Sequence, residues 1–499
     1  MKTGRLLFFL ALILAALIPA KAFAQSDASS QQTQELRKEL EEMRSQMVKM
    51  QARLDQLESA NAQPSAIQPE TKAAALPTPQ EGTIETKNPL PQGPTSPQVG
   101  EQTSTYQEYS EDNLAAPRYR NVPTDPKYHG FFYLPGTQTM LKIGGYAKTD
   151  VIYDLRQAGN SDEFVTSSIP VPQVGGVNNS TVSIRPTRLS LDFRIPSKFW
   201  GEARFYFEGD LFGSNATTPR LRHAYGQAGN LLIGQTFSNF MDPDASPDTL
   251  DFEGPNGYVN LRNPQVRYGF ALNRNTTFYF AVEKPSSDVA FKTPQFSAQP
   301  NTPAPDGTVH IRTEFGRGHV QLAAIFRDIA AFLPSGQTGD VFGWGINATT
   351  ALRTFGKDTF ILGAVYGHGI SRYIQDTSGL GIDAEVADNA NPHLKATPAL
   401  GLEIAYQHYW FRALRSSLVY GYAAVDNTNF VPTPPATFNP FSHSNYSAVN
   451  LIWNPIGSLN VGAEFLYGGQ ILKDGSFAYA PRIQFSAKYS FVRTGYENY

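Results

Sequence analysis

The stretch RLSLDFR, residues 188–194, decides how the rest of the chain is read. Leu189, Leu191 and Phe193 alternate with Arg188, Ser190, Asp192 and Arg194. Successive side chains of a strand point to opposite faces, so this segment has one apolar face and one charged face. A soluble sheet lays its apolar face on a dry core. A membrane barrel lays it on lipid and keeps water on the other side. The segment alone allows both.

The same alternation recurs along the chain. In LKIGGYAKTDVIYDL (141–155), Leu141, Ile143, Ala147, Val151 and Tyr153 alternate with Lys142, Tyr146, Lys148, Asp150 and Asp154. In EARFYFEGDL (202–211), Ala203, Phe205, Phe207 and Leu211 oppose Glu202, Arg204, Glu208 and Asp210. Further segments lie at 219–227, 231–238, 262–271, 276–284, 308–315, 320–328, 341–352, 359–367, 399–409, 414–425, 445–453, 459–468 and 481–491, sixteen in all with 188–194. The connections alternate in length. Short ones fall at 196–199, 228–230, 273–275, 316–318, 354–358, 411–413 and 454–458, and longer ones, such as 156–180, 239–261, 285–307, 368–398 and 426–444, lie between them.

Short turns on one rim, long loops on the other and an even strand number describe an outer-membrane barrel. A sandwich has no reason to sort its loops this way, and closure leaves no unpaired edge for lipid to meet. The expected fold is all-β: a 16-stranded antiparallel transmembrane β-barrel over residues 129–499, with an N-terminal coiled-coil helix. Leu189, Leu191 and Phe193 should face lipid and Arg188, Asp192 and Arg194 the interior. The reverse would cost about 2–4 kcal/mol for each Arg or Lys at the bilayer midplane. Tyr153, Trp200, Tyr268, Tyr366, Trp410, Tyr420, Trp453 and Tyr489, near strand ends, suit aromatic girdles.

The 499 residues include no cysteine and carry a formal charge of −3, and mean hydropathy is −0.33. This gives no sign of nucleic-acid binding and removes disulfides and thiolate chemistry. No run approaches the roughly 20 apolar residues of a membrane helix. At the N-terminus, Lys2 and Arg5 precede an apolar run from Leu6 to Ile18, followed by Ala22-Phe23-Ala24. Residues 1–24 read as a signal peptide cleaved before Gln25, the alternative being an uncleaved anchor. In 25–60, Leu36, Met43, Met50 and Leu57 interleave with Leu40, Met47 and Leu54 as the a and d positions of a periplasmic coiled coil. Glu39 and Arg53 are placed to meet Arg44 and Glu58 of parallel partners. A lone helix this polar would be marginal. Residues 61–128, rich in Pro, Gln, Thr and Ser, read as a flexible linker.

The expected interior is an aqueous channel lined by Lys142, Lys148, Arg188, Arg194, Arg204, Arg220, Arg222, Arg262, Arg267, Arg312 and Arg327. Asp150, Asp192, Glu202, Glu208, Asp210 and Glu314 point the same way. Either these charges satisfy one another, or the arginines, which grip carboxylates in bidentate fashion, form an anion path. The third long loop, 239–260, carries Asp242, Asp244, Asp248, Asp251 and Glu253. It is either an exposed acidic loop or a constriction opposing a basic wall. Nothing points to catalysis, a metal or a cofactor. Eight histidines are scattered without metal-ligand spacing, Gly-x-Ser-x-Gly is absent, and GLGIDA (379–384) lacks the βαβ context of a dinucleotide site.

The heptad together with LKIGGYAKTDVIYD, RLSLDFR, EARFYFEGDLFG, LRHAYGQAGNLLIGQTFSNFMDPD (221–244) and NPQVRYGF (263–270) resembles the DcaP-like family of trimeric outer-membrane porins. The 221–244 stretch is the most specific part, and the likeness covers coil and barrel but not the linker. The resemblance implies a sixteen-stranded homotrimer in outer-membrane lipid that passes small anionic solutes, dicarboxylates included. By strand position it maps lumen arginines onto Arg188, Arg194, Arg222 and Arg267, and it implies that the third loop, with FEGP (252–255) at its tip, folds inward. One departure is that VRTGYENY follows Phe491, where barrel porins end on an aromatic. Two other functions stay open: a general non-selective porin, and a structural or adhesive barrel linking the outer membrane to periplasmic or peptidoglycan contacts.

Overall fold

A computed structural model of the chain describes residues 130–491, except 176, 198–200, 215–216, 290–298, 334–336, 388–392 and 428–439. The signal peptide, coiled coil and linker expected before residue 129, Trp200 and the tail after Phe491 lie outside the described residues.

Sixteen strands form one antiparallel barrel. They are β1 (Met140–Asp154), β2 (Arg188–Ser197), β3 (Gly201–Asp210), β4 (Arg220–Ala228), β5 (Leu231–Phe237), β6 (Arg262–Ala271), β7 (Thr276–Glu283) and β8 (Asp306–Phe315). Then follow β9 (Gly318–Phe332), β10 (Thr338–Arg353), β11 (Thr359–His368), β12 (Pro398–Phe411), β13 (Leu414–Val425), β14 (Phe441–Ile456), β15 (Leu459–Leu472) and β16 (Phe477–Ser490). Each pairs with its neighbour in sequence, and β16 returns to β1 from Tyr146↔Ser490 to Asp154↔Arg482, closing the sheet. All sixteen predicted segments are strands. Asn179–Ser183, whose first two residues belong to the loop read from sequence at 156–180, extends β2 along β1. The ladder between the two pieces breaks around Pro186, which has no N–H to give.

The barrel is a wall between lipid and lumen. Leu189 is 51% exposed, whereas Arg188 and Asp192 are 8% and 9% exposed. The girdle residues Tyr153, Tyr268, Tyr366, Trp410, Tyr420, Trp453 and Tyr489 all lie exposed on the outer side of the alternation. Long loops L1 (155–178), L2 (211–219), L3 (238–261), L4 (284–305) and L6 (369–397) leave one rim. The opposite rim has tight turns, the periplasmic side of such barrels.

The expectation of a water-filled interior holds for only part of the lumen. Phe237, Phe240, Met241, Tyr258 and Val259 of β5 and L3 pack with Ile370, Tyr373, Ile374 and Ile382 of L6. They lie on Ala323, Ile325, Val365, Ala399, Ala423 and Val425 of β9 and β11–β13. Phe164 and Ile169 of L1 cover Tyr446, Ala448, Leu466 and Ala480 of β14–β16. These loops bring apolar side chains inward, and the wall beneath them has small or apolar residues where polar ones would line a channel. Glycines permit the close approach: a Cβ on Gly401 of β12 would collide with the carbonyl oxygen of Gly257 in L3.

Candidate functional site

L3 runs across the lumen, anchored at each stage. Near its start the Asp242 carboxylate accepts bonds from Arg312 Nη1 (3.0 Å), His319 Nε2 (2.8 Å) and Thr349 Oγ1 (2.6 Å) on β8–β10. Burial opposes ionisation of Asp242, but His319 and Arg312 outweigh it and hold its carboxyl well below the usual range. Gln321 and Asn347 donate to the carbonyls of Met241 and Phe240. Further on, Arg415 Nε of β13 donates to Asp248 at 2.5 Å. The N–H groups of Leu250 and Asp251 donate to Glu464 of β15 at 2.9 and 2.7 Å. The Leu250 carbonyl accepts from Lys148 Nζ (2.6 Å) and Gln484 Nε2 (3.0 Å). Phe252 follows. Its ring stacks on Phe212 of L2 at 4.4 Å, and the guanidinium groups of Arg188, Arg222 and Arg220 lie 5.1, 5.4 and 6.0 Å from its centre.

Between L3 and the wall of β1, β2, β4 and β16 lies a cavity of about 440 Å³. Its lining holds seven basic residues, Lys148, Arg188, Arg220, Arg222, Arg262, Arg415 and Lys488, and four acidic ones, Glu163, Asp248, Asp251 and Glu253. Three of those acids resist ionisation. Burial lifts Glu253 well above the usual carboxyl range, with Glu163 and Asp251 adding repulsion. Burial also lifts Glu163, against the pull of Arg220, and Asp251, against the pull of Arg482. By formal count the lining is basic, seven side chains against four.

The structure divides the residues singled out from sequence. Lys148, Arg188, Arg220, Arg222 and Arg262 line the cavity with Asp248, Asp251 and Glu253. Arg262 has the outward parity of Pro264 and Val266, but as the first residue of β6 it borders the cavity over Phe237. Arg194 and Arg204 share Asp192, at 2.9 and 3.0 Å, and Arg194 also holds Glu202 at 2.8 Å. Lys142 sits 5.9 Å from the Phe131 ring.

Three arginines brace a strand end and loops instead. Arg267 donates to the Phe237 carbonyl. Arg312 holds Asp242, Asp244 and Glu314 at 3.0, 2.8 and 2.6 Å. Arg327 holds Asp306, Asp383 and the Ser286 carbonyl of L4. Asp242 and Asp244 are thus bonded to the wall they were expected to oppose. Arg222 spans Glu208 and Asp210, and Arg220 pairs with Asp210. Arg415, Lys488 and Glu163 were not singled out. Lys488 shares the inward register of Arg482, Gln484 and Ser486, which was the available signal.

Residues 133–491 match the family model described as DcaP outer membrane protein. The chain is 24% identical over 179 residues to porin Omp2b of Brucella suis, a match covering 34% of this chain and 44% of that porin, less than half its length. The outer membrane channel DcaP of Acinetobacter baumannii has the same fold, with a TM-score of 0.62 and 24% identity over 72% of this chain and 99% of that one. An anion-selective porin from Comamonas acidovorans aligns with a TM-score of 0.48 and 11% identity over 71% and 100% of the two chains. The family model takes in the whole closed barrel, from before β1 to the end of β16, and the chain belongs to the DcaP outer membrane protein family, as an outer-membrane β-barrel of the porin type.

Proposed function

We propose that this chain is a porin through which small hydrophilic solutes diffuse passively, with a preference for anions and among them for dicarboxylates. It works as a homotrimer, with residues 25–60 forming a parallel coiled coil in the periplasm. The observation that carries the reading is the excess of basic side chains around the cavity beside Phe252. Two guanidinium groups from neighbouring strands can each hold one carboxylate, and arginines on an aromatic face keep their charge while their stems stay dry.

Reversal potentials across a salt gradient in planar bilayers test this. Wild type should favour anions, and added salt should weaken the preference, because the Debye length falls from about 10 Å at 0.1 M to about 3 Å at 1 M. Arg220→Gln is the informative variant, since Asp210 keeps Arg222 at 3.0 Å. It should lower the anion/cation permeability ratio. The ion pairs of Arg194, Arg204 and Arg222 favour a second reading, a general porin with little selectivity. A wild type that prefers cations, or that Arg220→Gln leaves unchanged, decides for that reading.

A further inference from the structure

Constriction by L3 alone leaves L6 without a role, yet the first half of L6 is built against L3 as a second strand. Asn260 N donates to Tyr373 O (3.2 Å), Gln375 N to Tyr258 O (3.0 Å) and Asp376 N to Asn256 O (3.1 Å). Val259 and Ile374 face one another as antiparallel bridge partners. L3 and L6 thus form a ribbon, and its L6 edge contributes Gln375 and Ser378 to the cavity lining.

One carboxylate gathers the ends of this assembly. Asp376 accepts from Thr166 Oγ1 (2.7 Å) and Ser167 N (3.1 Å) of L1 and from Ser444 Oγ (2.5 Å) of β14. Ser167 Oγ donates back to the Asp376 carbonyl at 2.7 Å. Asn256 Nδ2 of L3 donates to the same Ser444 hydroxyl at 2.8 Å. L1 and the barrel wall therefore meet on the Asp376 side chain of L6, which is 2% exposed and not part of the cavity lining, and L3 joins them through Ser444 and the Asp376 backbone. Three donors converge on two carboxylate oxygens. An amide has one acceptor oxygen and would turn its own NH₂ toward some of those donors.

We propose that Asp376 is a positioning residue that sets the cross-section of the channel without touching a solute. It holds the L6 strand of the ribbon on L1 and β14, while L3 keeps its own anchors on the wall, and its loss lets the L6 strand peel from L3 and leave the cavity edge. The inference rests on the reading that the cavity conducts.

The chain has no cysteine, so the ribbon can be locked on demand. Opposed residues of an antiparallel pair lie about 4.5–5.5 Å apart between Cα atoms, within the roughly 4.4–6.8 Å that a disulfide spans. Single-channel recordings compare wild type, Asp376→Ala, and Asp376→Ala carrying Val259→Cys and Ile374→Cys. Asp376→Ala should raise the conductance and add open-state noise. Oxidising the double-cysteine form should return wild-type conductance, and dithiothreitol should undo the return. Thr166→Val with Ser444→Ala removes two donors but keeps the carboxylate, and should reproduce the rise if Asp376→Ala fails to assemble. Wild-type conductance in the variant that assembles overturns the proposal, as does a raised conductance that oxidation leaves unchanged. A wild type that conducts nothing overturns the porin reading along with it, whereas a conducting wild type with an indifferent variant refutes this inference alone.

Discussion

Replacing Asp242 by alanine should detach the first leg of L3 from the wall. The side chain of Asp242 is fully enclosed, and it neutralises or accepts from Arg312, His319 and Thr349. Removing one partner of a buried ion pair costs about 3–5 kcal/mol. Arg312 keeps Asp244 at 2.8 Å and Glu314 at 2.6 Å, which moves the expectation to the lower end. The Thr349 hydroxyl, left without this acceptor, adds about 1 kcal/mol. A local loss of about 3–4 kcal/mol should speed hydrogen exchange of the L3 amides in 238–248 by two powers of ten or more, while amides of β9 and β10 change little. Asp242→Asn, which keeps one acceptor, should have a smaller effect. The pH dependence has a fixed sign. The folded carboxyl titrates below its unfolded value of about 3.9, so its stabilisation is fully present above that pH and is lost as the pH falls toward the depressed folded value. The exchange penalty of Asp242→Ala should stay constant from neutrality down to about pH 4 and shrink below it. Wild-type protection of L3 in the variant, or a penalty that grows with acid, would refute the clamp.

The outer face gives a second test. Leu191 pairs with Ile143 and Phe207 near the middle of β2, and Leu191→Arg should destabilise the barrel by about 2–4 kcal/mol in refolding titrations into lipid vesicles. An unaltered titration midpoint would argue against lipid on that face. Selectivity should also respond to acid. As the pH drops, the carboxyls of Glu163, Asp251 and Glu253 bind protons above their ordinary range, Glu253 well above it, so negative charge leaves the cavity and the anion/cation ratio climbs. Reversal potentials at stepped pH should show this climb, and Glu163→Gln with Glu253→Gln should flatten it. A level wild-type profile rules the effect out.

The wall was legible in the sequence because a period of two has one physical cause, a strand with different media on its two faces. That pattern located the sixteen barrel strands and put Arg188, Asp192 and Arg194 on the inner side. It reached less far inside. Arg222, Arg312 and Arg327 all point inward, but alternation says nothing of which acid each will meet, and only Arg222 borders the cavity. Arg312 and Arg327 take partners from loops, Asp242 of L3 and Asp383 of L6, far away in sequence. Arg262 shows the limit from the other side, since strand parity loses its meaning at the first residue after a loop. The filling of the lumen by L1 and L6 was hidden for a related reason. Phe164, Ile169, Ile370, Tyr373 and Ile374 are apolar without period, and the cue was their presence in connections that water alone would not require.

Leu250 sits over the line where the first and last strands of the barrel meet. Its carbonyl takes one bond from Lys148 on β1 and one from Gln484 on β16, while its amide is held by Glu464 on β15. L3 is thereby a staple across the seam of the barrel as well as an obstacle in its lumen. The two bonds to that oxygen can coexist only when both strands stand at their final spacing. The narrow part of the passage is consequently completed only at closure, and the edge-to-edge ladder that completes the cylinder is reinforced from within by the loop that narrows it.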